Sequence, residues 1–126
     1  MGSNIAYEAL DTLKEYIPRL IDGIEKITVH FSQQREGDGF GLMVHLLEGL
    51  EWAMAVVDKT QDTLRMHGLD LEHEQIRRLF LELVKAVENE DYVLISDVLE
   101  YEIAEVLAAW QNELAKIDFA KYMEVI

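Results

Sequence analysis

The chain is expected to fold as an all-α protein, an antiparallel up-down-up-down four-helix bundle with a short C-terminal tail helix. Three observations predict it. Apolar residues recur at alternating steps of three and four over long stretches, the period of a helix face rather than of a strand. The breaks between those stretches are short and hold Gly, Asn or Asp, which is turn and cap chemistry. Long helices on short connections pack antiparallel to their sequence neighbours. The boundaries read as about 4–34, 39–66, 71–88 and 91–117, within one domain spanning 1–126.

The first helix carries an unbroken heptad seam, Leu10, Leu13, Ile17, Leu20, Ile24, Ile27 and Phe31. At 1.5 Å per residue it is roughly 45 Å long, with Asn4 placed to cap its start. Pro18 removes a hydrogen bond from a helix interior, at about 3 kcal/mol, yet the seam keeps its phase across it, so a kinked but continuous helix is expected. Glu36-Gly37-Asp38-Gly39 then reads as a turn whose glycines supply positive φ, with Asp38 a candidate cap. Gly37 to Gly41 superficially resembles a phosphate-binding loop, but it follows a helix and lacks the Lys and Ser/Thr such a loop needs.

The second helix carries two seams. Met43, Leu47, Leu50, Met54, Val57, Gln61 and Leu64 form one; Leu42, His45, Gly49, Trp52 and Val56 form the other. A helix at the edge of a bundle needs a single stripe, so this one is either central or packs on something outside the fold. Gly49 would admit another backbone closely. Trp52 is expected in contact with a second copy or a partner; the competing account lays the tail, from Phe119 to Ile126, over it. His45 sits in the same seam, where an imidazole tunes an interface. Gly68 should close this helix in the left-handed conformation.

Asp70 is placed to cap the third helix, whose apolar face is Ile76, Leu79, Phe80, Leu83 and Val87. Asn89-Glu90-Asp91 is a tight connection in which Asp91 caps the fourth helix. The fourth helix points Tyr92, Ile95, Leu99, Ile103, Val106, Trp110 and Ile117 inward and Asp97, Glu100, Tyr101 and Glu105 outward. Glu102 and Glu113 border its stripe. Phe119, Tyr122, Met123 and Ile126 suggest an amphipathic tail that docks on the body.

Charge narrows the function. The net charge is −14, and the thirty residues 86–115 hold eight carboxylates and no Lys or Arg. Nucleic acid and anionic membrane are therefore not expected partners, since phosphate recognition needs a basic footprint. The sequence shows no apolar run of membrane-spanning length and no leader of the basic-then-apolar kind, so a cytoplasmic location is expected. There is no Cys, which excludes thiol nucleophiles and cysteine-ligated metals. His30, His45, His67 and His73 stand singly, with no Glu-x-x-His di-iron motif. Ser3, Ser32 and Ser96 lack a His and an acid at a recognisable spacing.

One metal reading stands. Glu48-Gly49-Leu50-Glu51 and Glu88-Asn89-Glu90-Asp91 resemble the paired acidic motifs of all-α nucleoside triphosphate pyrophosphohydrolases, and the resemblance implies a Mg²⁺ site on Glu48, Glu51, Glu88 and Asp91. Against it, the second motif spans a turn and the gap between the motifs is long for that family. The segment from Asn89 to Glu102, Asn-Glu-Asp-Tyr-Val-Leu-Ile-Ser-Asp-Val-Leu-Glu-Tyr-Glu, resembles a stretch of small acidic helical-bundle proteins of Gram-positive bacteria; the resemblance implies a bundle and brings no activity. In size, acidity and build the chain is also similar to bacterial export chaperones. The expected function is a non-enzymatic interaction protein, adaptor or chaperone-like, with no cofactor. Its partner is a helical or basic protein segment, or a second copy in a homodimer. The alternative is the Mg-dependent hydrolase.

Overall fold

A computed structural model describes residues 3–123, and every regular element among them is helical. The first helix, α1 (Ser3–Ser32), is the axis of the molecule. It packs against the second helix, the last long rod and the tail. Its whole seam from Leu10 to Phe31 is buried. It begins at Ser3, so Asn4 lies inside the helix and does not cap it. The helix continues through Pro18, which is exposed.

The second helix, α2 (Glu36–Lys59), starts earlier than expected and takes Gly37, Asp38 and Gly39 into its first turns. Asp38 therefore caps nothing. The reversal before it is made by Gln34, at φ 60, and Gly39 serves instead to let Phe31 lie on the helix backbone. At its far end α2 stops short. Buried Thr60 sends its hydroxyl to the Val56 carbonyl at 2.6 Å, the same carbonyl its own N–H reaches at 3.1 Å. Such a bond competes with the regular ladder, and the chain restarts as α3 (Gln61–Met66). The expected single helix over 39–66 is thus two.

The two seams of α2 are also corrected. The buried line is Met43, Leu46, Leu50, Ala53 and Val57, which keeps Met43, Leu50 and Val57 of the first seam and adds Leu46 and Ala53 on the side of the second. Leu47, Met54 and Gln61 flank it half-buried on one side; Leu42, Gly49 and Val56 flank it on the other. What reads as two opposed seams is one broad face plus a rim, His45 and Trp52, that remains exposed.

Three connections share one device. Gly68, at φ 68, donates to the Arg65 carbonyl at 3.0 Å while Leu69 donates to Leu64 at 2.9 Å, the paired bonds of a Schellman cap. The same pair closes α1 at Gln34 and Arg35, and the fourth helix at Glu90 and Asp91. In those two the left-handed residue is not glycine: Gln34 has φ 60 and Glu90 has φ 52.

The fourth helix, α4 (Glu74–Glu88), follows an irregular lead-in that buries Leu69 and Leu71. Asp70 does not cap it. The Glu72 carboxylate does, accepting from the N–H groups of Glu74 at 2.7 Å and Gln75 at 2.9 Å. The bonds from Gln75 and then Glu74 hold the Glu72 carboxyl below its ordinary value.

The last rod runs over 92–114 as α5 (Tyr92–Asp97), a π-helical segment (Val98–Ile103) and α6 (Ala104–Leu114). Asp91 caps it as expected, accepting from the Leu94 N–H at 3.1 Å. The π turn follows from the spacing Ile95, Leu99, Ile103: two successive steps of four overrun a 3.6-residue period. One extra residue in the turn lets Val98 and Leu99 both be buried, and the Ala104 N–H reaches back to the Leu99 carbonyl.

This rod packs on α1 and α4, and α2 and α4 meet more lightly, with Arg77 and Asp58 3.5 Å apart. Trp110 is buried and donates its Nε1–H to the Glu72 carbonyl at 3.0 Å. The tail, a 3₁₀ turn over Phe119–Tyr122, buries Phe119 and stacks Tyr122 on Tyr7 at 4.9 Å. Lys14 donates to the Ile117 carbonyl at 2.8 Å. Ile126 lies outside the described residues.

Candidate interaction surface

Where α1 and α2 cross, their outer rims leave a trough rather than a filled seam. Gly49 allows it: a Cβ there would lie 2.5 Å from the Tyr16 hydroxyl and 2.8 Å from Leu20. The bare backbone accepts those side chains of α1, where the sequence suggested a neighbouring backbone. Tyr16 then meets Trp52 edge-on, ring centroids 5.5 Å apart at 90°. The indole is left 39% exposed. One end of the trough, about 420 Å³, lies among Thr12, Tyr16, His45, Glu48, Gly49 and Trp52. It continues past Tyr16 and His45 into a second space of about 350 Å³ bordered by Arg19, Asp22, Lys26 and Leu42.

So His45, Gly49 and Trp52 line one space, Leu42 lines the neighbouring one with His45 between them, and Val56 turns into the core. The described part of the tail, to Met123, lies on Tyr7 and His67 rather than over Trp52. The α1 half of the trough escaped the sequence reading, because Thr12, Tyr16 and Arg19, though spaced by four and three, are polar or amphipathic and lie off the apolar seam.

α2 as a whole is apolar, and its outer side exposes Val44 and Trp52 among His45, Glu48 and Glu51. By length and composition alone it is long and apolar enough to cross a membrane, with a mean hydropathy of 1.4 over its most apolar window, yet only 39% of that window is buried. Val44 is 56% exposed. Between Glu36 and Asp58 the helix has no Lys or Arg, and Glu48 and Glu51 are its only charges in the central stretch.

The outward acidic face of the rod divides in two. Asp97 and Glu100 border a shallow space of about 270 Å³ beside Thr28, Ser32 and Val93. Tyr101 and Glu105 border another, about 440 Å³, with Asp70, Glu72 and Glu102. No cation lines either one. Glu113 stays at the border of the core, where it pairs with Lys116 and accepts from the Asp70 N–H; the Lys116 bond, then the Asp70 N–H, hold its carboxyl below the ordinary value.

The acidic motifs do not converge. Tyr92, next to Asp91, packs on Phe31 and Phe40 at 5.4 and 5.5 Å. That places the α4–α5 turn at the Phe40 end of α2, and Glu48 lies eight residues further along, about 12 Å at the helical rise. Oxygen ligands of Mg²⁺ must come within about 2.1 Å of one point. Asp91 is also committed to its cap, and among the described residues no three His, Asp or Glu side chains group as metal ligands.

A family model for a domain of unknown function, DUF8042, matches residues 8–113. The chain belongs to this family. The match takes in α1 through most of α6, and with them the whole trough and both acidic depressions; the tail lies beyond it. No curated protein and no solved structure matches the chain.

Proposed function

We propose that this DUF8042 protein is a non-enzymatic interaction protein, an adaptor or chaperone-like holder of a helical or basic segment of a partner protein. In this reading α1, α2 with α3, α4 and the 92–114 rod form the antiparallel up-down-up-down bundle. The location is cytoplasmic and the source Gram-positive, as the 89–102 segment implies. The observation that carries the proposal is the outer side of α2. A helix face that exposes Val44 and Trp52 around two unpaired carboxylates costs solvation in an isolated protein and gains from a covering partner. The cation-free rod supports a basic partner.

The test is a partner recovered from the native host, rebuilt from purified components and weighed by analytical ultracentrifugation. A saturable complex of defined stoichiometry, weakened by substitution on α2 or on the rod face, is expected. Failure to rebuild any saturable complex, or Mg²⁺-dependent nucleotide hydrolysis lost in Glu48→Gln and Asp91→Asn, overturns the proposal.

A further inference from the structure

The trough between α1 and α2 shows what kind of segment it is built to hold. It runs beside α1 from Thr12 to Lys26, about 21 Å at 1.5 Å per residue, which is the length of a helix of about fourteen residues. A groove between two packed helices presents ridges that a third helix matches. Leu20, Leu42 and Leu46 give it an apolar lining at one end, and Trp52, 39% exposed, stands at the other.

Charge is segregated along it. At the far end Lys26 is satisfied by Asp22 at 3.0 Å. At the Trp52 end Glu48 has no ion pair among the described residues. It sits one helical turn from the indole, at a spacing of four. A partly exposed indole beside an unpaired carboxylate is a seat for a cation, held by the ring quadrupole and by a charge-assisted hydrogen bond together.

We propose that the trough binds an amphipathic helix of a partner protein whose apolar stripe lies on Leu42 and Trp52 and whose Lys or Arg reaches Glu48. This rests on the interaction reading above and names its site and ligand. A second copy laid helix to helix on α2 fits less well: that helix offers no Lys or Arg between Glu36 and Asp58, and would set its own Glu48 and Glu51 against the same charges.

The test uses the full chain and a displayed library of helices about fourteen residues long, with the apolar stripe fixed and one flanking position randomised to all residue types. Selected binders should carry Lys or Arg there and lose at least tenfold in affinity for Glu48→Gln and for Trp52→Ala, both exposed positions whose fold is verified by circular dichroism. Glu48→Lys should reverse the preference, selecting Asp or Glu. Binders without a charge preference overturn the inference. So do binders that ignore Trp52→Ala but are lost in a Tyr101→Ala, Glu105→Gln double variant; in that case the interaction reading stands and its site moves to the rod. A dimer of the chain alone that dissociates in Trp52→Ala also overturns the inference, in favour of a second copy. A library with no binder at any site counts against both readings.

Discussion

Gly39→Ala is the sharpest probe of how α2 docks on α1. A Cβ at this buried position would lie 2.7 Å from Cδ1 and 3.1 Å from Cζ of Phe31, and closer still to Cε1. Unstrained carbons sit about 3.5–4.0 Å apart, so the ring or the helix must move by about 1 Å. The ring has nowhere easy to go: it is 8% exposed and packs against Phe40 and Tyr92, each at 5.4 Å. Overpacking costs about 1–3 kcal/mol, and a disturbed aromatic pair adds about 0.5–1.5 kcal/mol. Alanine returns about 1 kcal/mol of helix propensity. The net expectation is a loss of about 1–3 kcal/mol. Gly41→Ala is the control, two residues along the same helix, exposed and with nothing within 4 Å of its Cβ; it should gain up to about 1 kcal/mol. Urea unfolding with an unchanged m-value reads both differences. If Gly39→Ala proves as stable as Gly41→Ala, Phe31 does not lie on Gly39 and the docking of α2 is misplaced.

Glu90→Gly should stabilise the fold by about 0.5–1 kcal/mol, because a left-handed non-glycine residue costs about 1–2 kcal/mol and glycine returns only part of that through the unfolded chain; a lower urea midpoint would show that Glu90 is not left-handed. Glu72 carries a pH prediction. Its folded carboxyl titrates below the ordinary 4.5, so its stabilisation is complete above that value and is lost as pH falls through the folded one. The melting-temperature gap between wild type and Glu72→Gln should therefore hold steady near neutrality and close on acidification, and a gap that survives to about pH 2 refutes the cap. Salt should raise the melting temperature between about 0.01 and 0.1 M NaCl, as the Debye length falls from about 30 to about 10 Å around Asp97, Glu100 and Glu105. No response would mean that these charges do not repel one another. A Mg²⁺ effect well beyond matched ionic strength would revive a metal site.

What the sequence determined by itself was periodicity and its punctuation. The seam of α1 is buried from end to end, Gly68 closes α3, and Asp91 caps the last rod, because each depends on residues a few positions apart. Much of the inward face of the last rod was legible too, Ile95, Leu99, Ile103, Val106 and Trp110, whereas its π turn and the burial of Val98 beside Leu99 were not. Ends were less legible. Gln34 and Glu90 adopt backbone that composition assigns to glycine, and Glu72 rather than Asp70 caps α4. Those choices are local as well, but non-glycine residues in the left-handed region and a carboxylate one residue before the cap position carry no distinctive composition. The trough was half legible. Its α2 rim shows as an extra seam, whereas Thr12, Tyr16 and Arg19 become its other wall only because Gly49 admits Tyr16. Which of two seams is core is likewise a tertiary decision: α1 covers Met43, Leu50 and Val57 of the first seam with Leu46 and Ala53 beside them, leaving Trp52 and His45 of the second at the rim. Local periodicity says that a face is apolar, and only the position of the neighbouring helix says how much of it is covered.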